Sequence, residues 1–500
     1  MFKFLRNKLL NKKWLNACLL LGIVLLVAVA SCNPMFKNGA MDMTLASKFD
    51  SAIEDNNTYS AVVGRQGSCS TDNFPDSASV LDRINAYEKK WMSYIDVPVL
   101  SRQNRLFIEG TYAMTGLGSR RFFSVNYMQD MSEHINITFG EGLDTGKPVE
   151  GTYPVIINQQ NADTYDLVVG ETVSIDKLVD KDGKPVTFTV VGIFEPKDTT
   201  DIYWKETPVD FDKMIFTDQA SFDETVANYG VLTIYYATYN MLDYAYIDHT
   251  NASDIRYYLS AFSKADGNFI QNFSSILADY QDDATSIMII IWVLELPILV
   301  LLLAFIYMVS SQILEMEDGE IAMLKSRGTS TKQILGIYFG ESAILSLIAI
   351  VIGIPVGYLL CKLCASATSF LKFSFGDTHF YKLTWGMLLY SLIAAVIAIL
   401  FITLPVLKYA KNSIVEQKSK LGKVNTKPIW EKAFLDVILV AVSIYLLYNY
   451  NKQKSDIALS ILAGNKPDPL IFLNSSLSIA LSPGFMQITA PFARGVDALS

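Results

Sequence analysis

Long apolar runs alternate with polar stretches along this 500-residue chain. A run of about 18 or more apolar residues is long enough to cross a bilayer as a helix. Six spans are predicted, the shortest of them a little under that length: about Trp14–Ala30, Ile287–Ser310, Ile334–Cys361, Gly386–Leu407, Ala433–Tyr448 and Pro469–Pro491. The sixth is the weakest, because Asn474, Ser475, Ser476 and Pro483-Gly484 interrupt it. Between the first and second runs, residues 33–285 show the shorter periods of a globular fold. Ser77–Tyr94 reads as a helix with Val80, Ile84, Tyr87 and Trp91 on one face. From about Arg105 the pattern turns to strands: Tyr153–Ile157, Glu171–Ile175 and Pro185–Phe194, the last two joined by a turn at Asp182-Gly183. A strand-rich lobe is expected near 149–215, and a helix over Asn251–Ala278 leads into the second run. The expected fold class is an α-helical membrane protein of about six spans with a large extracytoplasmic α+β domain.

Charge sets the orientation. Residues 33–285 hold 37 acidic and 19 basic residues, net −18, while the remainder holds 13 and 22, net +9. The first 13 residues carry Lys3, Arg6, Lys8, Lys12 and Lys13 and no acid. Positive charge stays on the cytoplasmic side of a membrane, so the N-terminus is expected there. Counting spans puts the basic stretch 412–432 on the same side, in agreement with its lysines. Trp14, Trp385 and Trp430 stand at span ends, where an amphipathic ring is at home. The division is then 1–32, the N-terminus and first span; 33–285, the outer domain; 286–411, a three-span unit; 412–432, a basic linker; and 433–500, two further spans that open a second half or end a truncated one. Membrane lipid is a partner and nucleic acid is not expected.

Little in the outer domain points to catalysis. His134, His249 and His379 are far apart in sequence, and no HExxH, GxSxG or paired-cysteine metal spacing occurs in 33–285. Asp198 and Asp201 read as a solvated acidic loop. The five cysteines imply no disulfide framework; Cys361 and Cys364 have redox spacing but, with no βαβ context, read as two buried thiols one helical turn apart. Val29-Ala30-Ser31-Cys32 has the look of a lipoprotein cleavage box, against a retained first helix. Glu295, about nine residues into the second run, is expensive in a membrane and faces protein or water. Glu341 stands one to two turns into the third run. Gly336/Gly340 and Gly353/Gly357 have the four-residue spacing that lets helices approach closely.

The segment between the second and third runs is the most distinctive. Ile321 and Leu324 share one face of a short helix, and Glu320 and Arg327 another. Gly328 is a natural helix stop, and Ser330-Thr331-Lys332-Gln333 has the form of a capping box that starts the next helix. The expectation is a short amphipathic helix, a glycine hinge and a capped helix start. Physics alone leaves open whether a partner sits on it.

Residues 317–357 resemble the signature of FtsX-like ABC transporter permeases, with Glu320-Ile321, Leu324-Lys325, Gly328, Gln333-Ile334 and Glu341 at the expected places. The stretches TYDLVVGETVSI and VTFTVVGIFEP resemble the periplasmic core domain of MacB-like permeases. The resemblance implies a bacterial plasma-membrane permease subunit that works with a separate cytoplasmic ABC ATPase and with a second half or a second copy. It implies an ATPase-coupling element containing Glu317, Glu320, Ile321, Leu324, Lys325, Arg327 and Gly328. The chain has no GxxxxGK[ST] motif, so no cofactor of its own is expected; ATP belongs to the partner. Cargo would be a lipoprotein, lipid, peptide or antibiotic. The alternatives are a mechanical regulator of an extracellular hydrolase or sensor kinase, and a membrane-anchored enzyme.

Overall fold

A computed structural model of the chain describes residues 13–114, 120–207, 209–366 and 384–411, with residues 441, 444, 445, 448 and 452 singly. Two compact units divide it: 1–43 with 282–500, and 44–281.

Among the described residues, four helices are long and apolar enough to cross a membrane: α1 (Lys13–Asn56), α6 (Ser274–Ser326), α7 (Thr331–Ser366) and α8 (Trp385–Lys411). The expected fifth and sixth spans fall almost wholly outside the described residues. The four helices share one apolar core: Ile23 and Val27 of α1, Ile306 and Val309 of α6, Leu345 and Ala349 of α7, Ala394 and Ala398 of α8. Lipid supplies no hydrophobic drive between helices, so close steric fit has to hold them together. Gly22 of α1 provides it against α6, where a Cβ would come 3.0 Å from the Phe305 ring. Gly353 and Gly357 of α7 provide it against α1, where a Cβ on Gly357 would lie 2.2 Å from Ser31 Oγ.

Among its described residues, the second unit is built on one ten-stranded sheet. Its strands are β1 (Val62–Ser70), β2 (Val99–Met114), β3 (Arg120–Met128), β4 (Ile135–Gly140), β5 (Tyr153–Asn158), β6 (Thr172–Val179), β7 (Pro185–Pro196), β8 (Met214–Phe216), β9 (Thr233–Leu242) and β10 (Phe269–Gln271). The order is β10-β1-β9-β2-β3-β8-β5-β7-β4, with β6 pairing both β2 and β7. Pairs β3–β8 and β5–β7 are parallel; the others are antiparallel. The strands foreseen over 149–215 are therefore part of a single sheet that runs through the whole unit. The turn foreseen at Asp182-Gly183 forms, with Gly183 at φ +78°. Helices α2 (Ser77–Ile95), α3 (Gln159–Tyr165), α4 (Gln219–Asn228) and α5 (Ala252–Ala265) complete it.

Three expectations need correction. The helix foreseen over Asn251–Ala278 is α5, then strand β10, then the start of α6. Asp266-Gly267 breaks it, with the Asp266 carboxylate accepting from Asn268 N at 3.0 Å. The short helix foreseen after the second span does not stand alone, because α6 runs unbroken through the span and the charged segment to Ser326. The inward face of α2 is Val80, Ile84, Glu88, Trp91 and Ile95, not Tyr87. Tyr87 is exposed and lies under the Arg65 guanidinium, 4.2 Å from its ring centroid.

Glu88 tolerates burial because it is paired: Arg102 bridges Oε2, and the Thr238 hydroxyl donates to Oε1 at 2.6 Å. A buried carboxylate stripped of its cation is costly. Arg102→Ala is expected to destabilise this unit by about 2 kcal/mol, read as a lower melting temperature of the purified chain. Lys89→Ala, one exposed position away, should change it by less than about 0.5 kcal/mol.

The candidate functional site: the turn between α6 and α7

The charged end of α6 is held by what it buries. Leu314, Ile321, Ile334, Tyr338 and Val406, from α6, α7 and α8, form an apolar cluster. Glu317 lies in the same stripe, 2 % exposed, and accepts a hydrogen bond from the Tyr338 hydroxyl. Two turns earlier, Ser310 Oγ donates to the Ile402 carbonyl of α8 at 3.0 Å. A cavity of about 20 Å³, lined by Asn16, Ser310, Tyr338, Glu341 and Ser342 among others, separates these groups. That is room for a single water with several polar partners.

The helix then stops by a Schellman motif. Thr329 N donates to Leu324 O at 3.2 Å and Gly328 N to Lys325 O at 2.9 Å, with Gly328 at φ +86°. The next helix starts with a reciprocal capping box. Ser330 N donates to Gln333 Oε1 at 3.0 Å, and Gln333 N to Ser330 Oγ at 3.4 Å. Two residues thus connect the two caps, and the turn has little freedom.

The seven residues singled out from sequence divide by burial. Glu317 and Ile321 face inward and lock the element to α7 and α8. Leu324 and Lys325 are half-buried, and Glu320, Arg327 and Gly328 are exposed. The outward stripe also contains Gln312, Met316 and Met323, the methionines 61 % and 54 % exposed. Sequence reading passed over both, although they stand seven residues apart opposite Ile321. It also passed over Tyr338, whose role only its contact with Glu317 reveals. Exposed methionines beside charge make an adaptable contact surface.

Elsewhere in this unit, Glu295 of α6 is 9 % exposed and accepts from Asn33 Nδ2 of α1. Glu341 is buried at the small cavity. Gly353 and Gly357 lie against α1, whereas a Cβ on Gly336 would meet nothing within 4 Å. Gly340 is half-buried. Cys361 is buried near Met35, Met387 and Cys32.

In the sheet unit the structure pairs two residues that the sequence had kept apart. His134 Nδ1 and Asp201 Oδ2 are 2.6 Å apart, and the imidazole stacks on Tyr203 at 3.8 Å. The Asp201 carboxylate also caps the short turn at 202–204, accepting from Tyr203 N at 3.0 Å, and the Tyr203 hydroxyl donates to Gln129 O at 2.7 Å. Burial, then the charge of Asp130, pushes the Tyr203 phenol well above its usual range. These contacts clamp a loop. Among the described residues no group of three or more His, Cys, Asp or Glu side chains could hold a metal ion.

These features define a class: a multi-pass α-helical membrane protein with a large mixed-sheet unit between its first two long helices. Residues 292–414 match the model of the FtsX-like permease C-terminal domain. Among solved structures the chain is similar to a crystal structure of a domain from a Porphyromonas gingivalis protein described as a permease. That match has 10% identity and a TM-score of 0.21, and covers 41% of this chain and 82% of the other. So distant a likeness carries no argument about function. No curated protein matches the chain.

Two outcomes follow from the packing. Tyr338→Phe removes a hydrogen bond to a buried carboxylate and should cost about 1.5–3 kcal/mol, seen as a lower melting temperature. Gly357→Val should disrupt the α1–α7 contact and lower the yield of folded chain, whereas Gly336→Val, at an open position, should leave both yield and melting temperature unchanged.

Proposed function

We propose that this protein is the membrane subunit of an ABC-type transporter complex, in which a separate cytoplasmic ATPase drives movement of the outer domain. The reading rests on one observation: the charged end of α6 presents an outward stripe of Gln312, Met316, Glu320, Met323 and Arg327, while its opposite face is locked to α7 and α8. A surface of this kind can receive force from a partner and pass it to the bundle. The match of 292–414 to an FtsX-like permease domain supports the same reading.

In this scheme the α6–α7 turn lies in the cytoplasm of a bacterial cell, on the side where the positive-inside rule puts the N-terminus. The ATPase closes on ATP and displaces the outward stripe. Because Glu317 and Ile321 are buried against the neighbouring helices, the stripe cannot move without them. The chain binds no nucleotide and has no catalytic group of its own; ATP is held by the partner. Two permease halves, or two copies, would face an ATPase pair. The work done is export or extraction of a lipoprotein, lipid, peptide or antibiotic.

The test is co-purification. Lys325→Glu combined with Arg327→Glu, and separately Met316→Glu combined with Met323→Glu, should abolish association with an ATPase while membrane insertion stays intact. Full ATPase association and activity in both double variants would refute the coupling assignment.

A further inference from the structure

The sheet unit carries a cleft that the reading above does not use. It lies between the segment joining β3 to β4 and the start of α4, and its volume is about 350 Å³. Ligand cavities begin at about 300 Å³, so this is room for one or two side chains and too little for a lipid with paired acyl chains. Met128, Met131, Ile135, Ile137, Leu143 and Ile156 supply the apolar lining. Thioether side chains adapt to varied shapes, which suits a site that takes more than one apolar residue.

Charge narrows the occupant. Asp130, Asp144 and Asp218 also line the cleft, and no Lys, Arg or His does. The Asp218 carboxylate is spent as the N-cap of α4, accepting from Ser221 N at 2.9 Å and from Ser221 Oγ at 2.7 Å. Asp130 and Asp144 are exposed and in no ion pair among the described residues. Asp130 is held at φ +60°, a left-handed conformation that aspartate adopts more readily than most residues. Burial, then the charges of Asp130 and Asp223, pushes the nearby Tyr127 phenol upward, in keeping with a negative potential here. Anionic phospholipids and acidic peptides are repelled by such a rim. A chain with an apolar residue beside a basic one satisfies both surfaces at once.

We infer that this cleft is a recognition site for a cationic peptide, which seats an apolar side chain on the Met, Ile and Leu lining while a flanking Lys or Arg meets Asp130 or Asp144. The inference assigns a ligand class to the sheet unit and stands apart from ATPase coupling, so each can fail without the other.

The experiment uses the full chain in nanodiscs of zwitterionic lipid. The probe is a fluorescently labelled hexapeptide of alternating Leu and Lys, with its Leu/Glu counterpart and empty nanodiscs as controls. Anisotropy should show saturable binding of the Leu/Lys probe and none of the Leu/Glu probe. Asp130→Asn with Asp144→Asn should weaken binding about tenfold without moving the melting temperature. Asp82→Asn with Asp254→Asn, exposed acids outside the lining, should leave it unchanged. The inference is overturned if the Leu/Glu probe binds equally or if the cleft variant keeps full affinity. It also fails if the variant outside the lining loses as much, if a short-chain anionic phospholipid displaces the probe, or if no binding exceeds that of empty nanodiscs.

Discussion

Everything that α6 can do depends on one packed stripe near its C-terminal end. Leu314, Glu317 and Ile321 recur at helical spacing and turn inward onto Ile334 and Tyr338 of α7 and Val406 of α8. A carboxylate in such a stripe would be a defect if it stood alone. The Tyr338 hydroxyl makes it a directional contact, which fixes how α6 is rotated against α7 as well as how near it lies. Apolar contacts by themselves would leave that rotation weakly set. The outward stripe of Met316, Glu320, Met323 and Arg327 owes its exposure to this choice of inward face.

The rest of the bundle solves a different problem. Apolar side chains gain little by leaving lipid for one another, so association has to come from fit and from polar contacts. Both are present. Gly22, Gly353 and Gly357 bring α1 close to α6 and α7, and Asn33 of α1 reaches Glu295 of α6. Helix α1 thus meets α6 through a polar pair and an absent side chain, and α7 through absent side chains. The four-residue spacing of glycines is informative only with the partner in view, since Gly353 and Gly357 serve this contact and Gly336 does not.

The sequence made the four described apolar spans legible because their length alone is diagnostic, and it made the α6–α7 turn legible because glycine stops and capping boxes are local signals. It misled where a local signal was weak or was overruled at a distance. The charged segment was expected to form a short helix of its own, but α6 runs on through it, Gly319 included. Strand β1 escaped notice because its glycines and serines blur the alternation. Gly64 is there because a Cβ would come 1.9 Å from the Thr238 carbonyl oxygen of the adjacent strand. Glu88 took a core position in place of Tyr87 because Arg102 and Thr238 wait for it, and neither is near it in sequence. His134 and Asp201 are 67 residues apart and meet only through the fold. In the candidate site, spacing singled out a segment but could not say which of its residues face outward; that needed the neighbouring helices.

The buried groups at the turn also limit how α6 can respond to force. If its charged end swung away from α7 as a free arm, Glu317 and Ile321 would be exposed together, and the carboxylate would lose its phenolic donor while the apolar cluster opened. Each loss costs free energy, and they fall on the same step. Sliding or rotation that carries α6, α7 and α8 together keeps both. The Schellman and capping-box contacts argue the same way, since a turn with two residues between its caps bends little without breaking one of them. The cheapest motion for this site is therefore that of a coupled three-helix body rather than of a hinged segment, and the glycine at 328 serves as a fixed corner: its φ of +86° is the geometry that the Schellman motif needs.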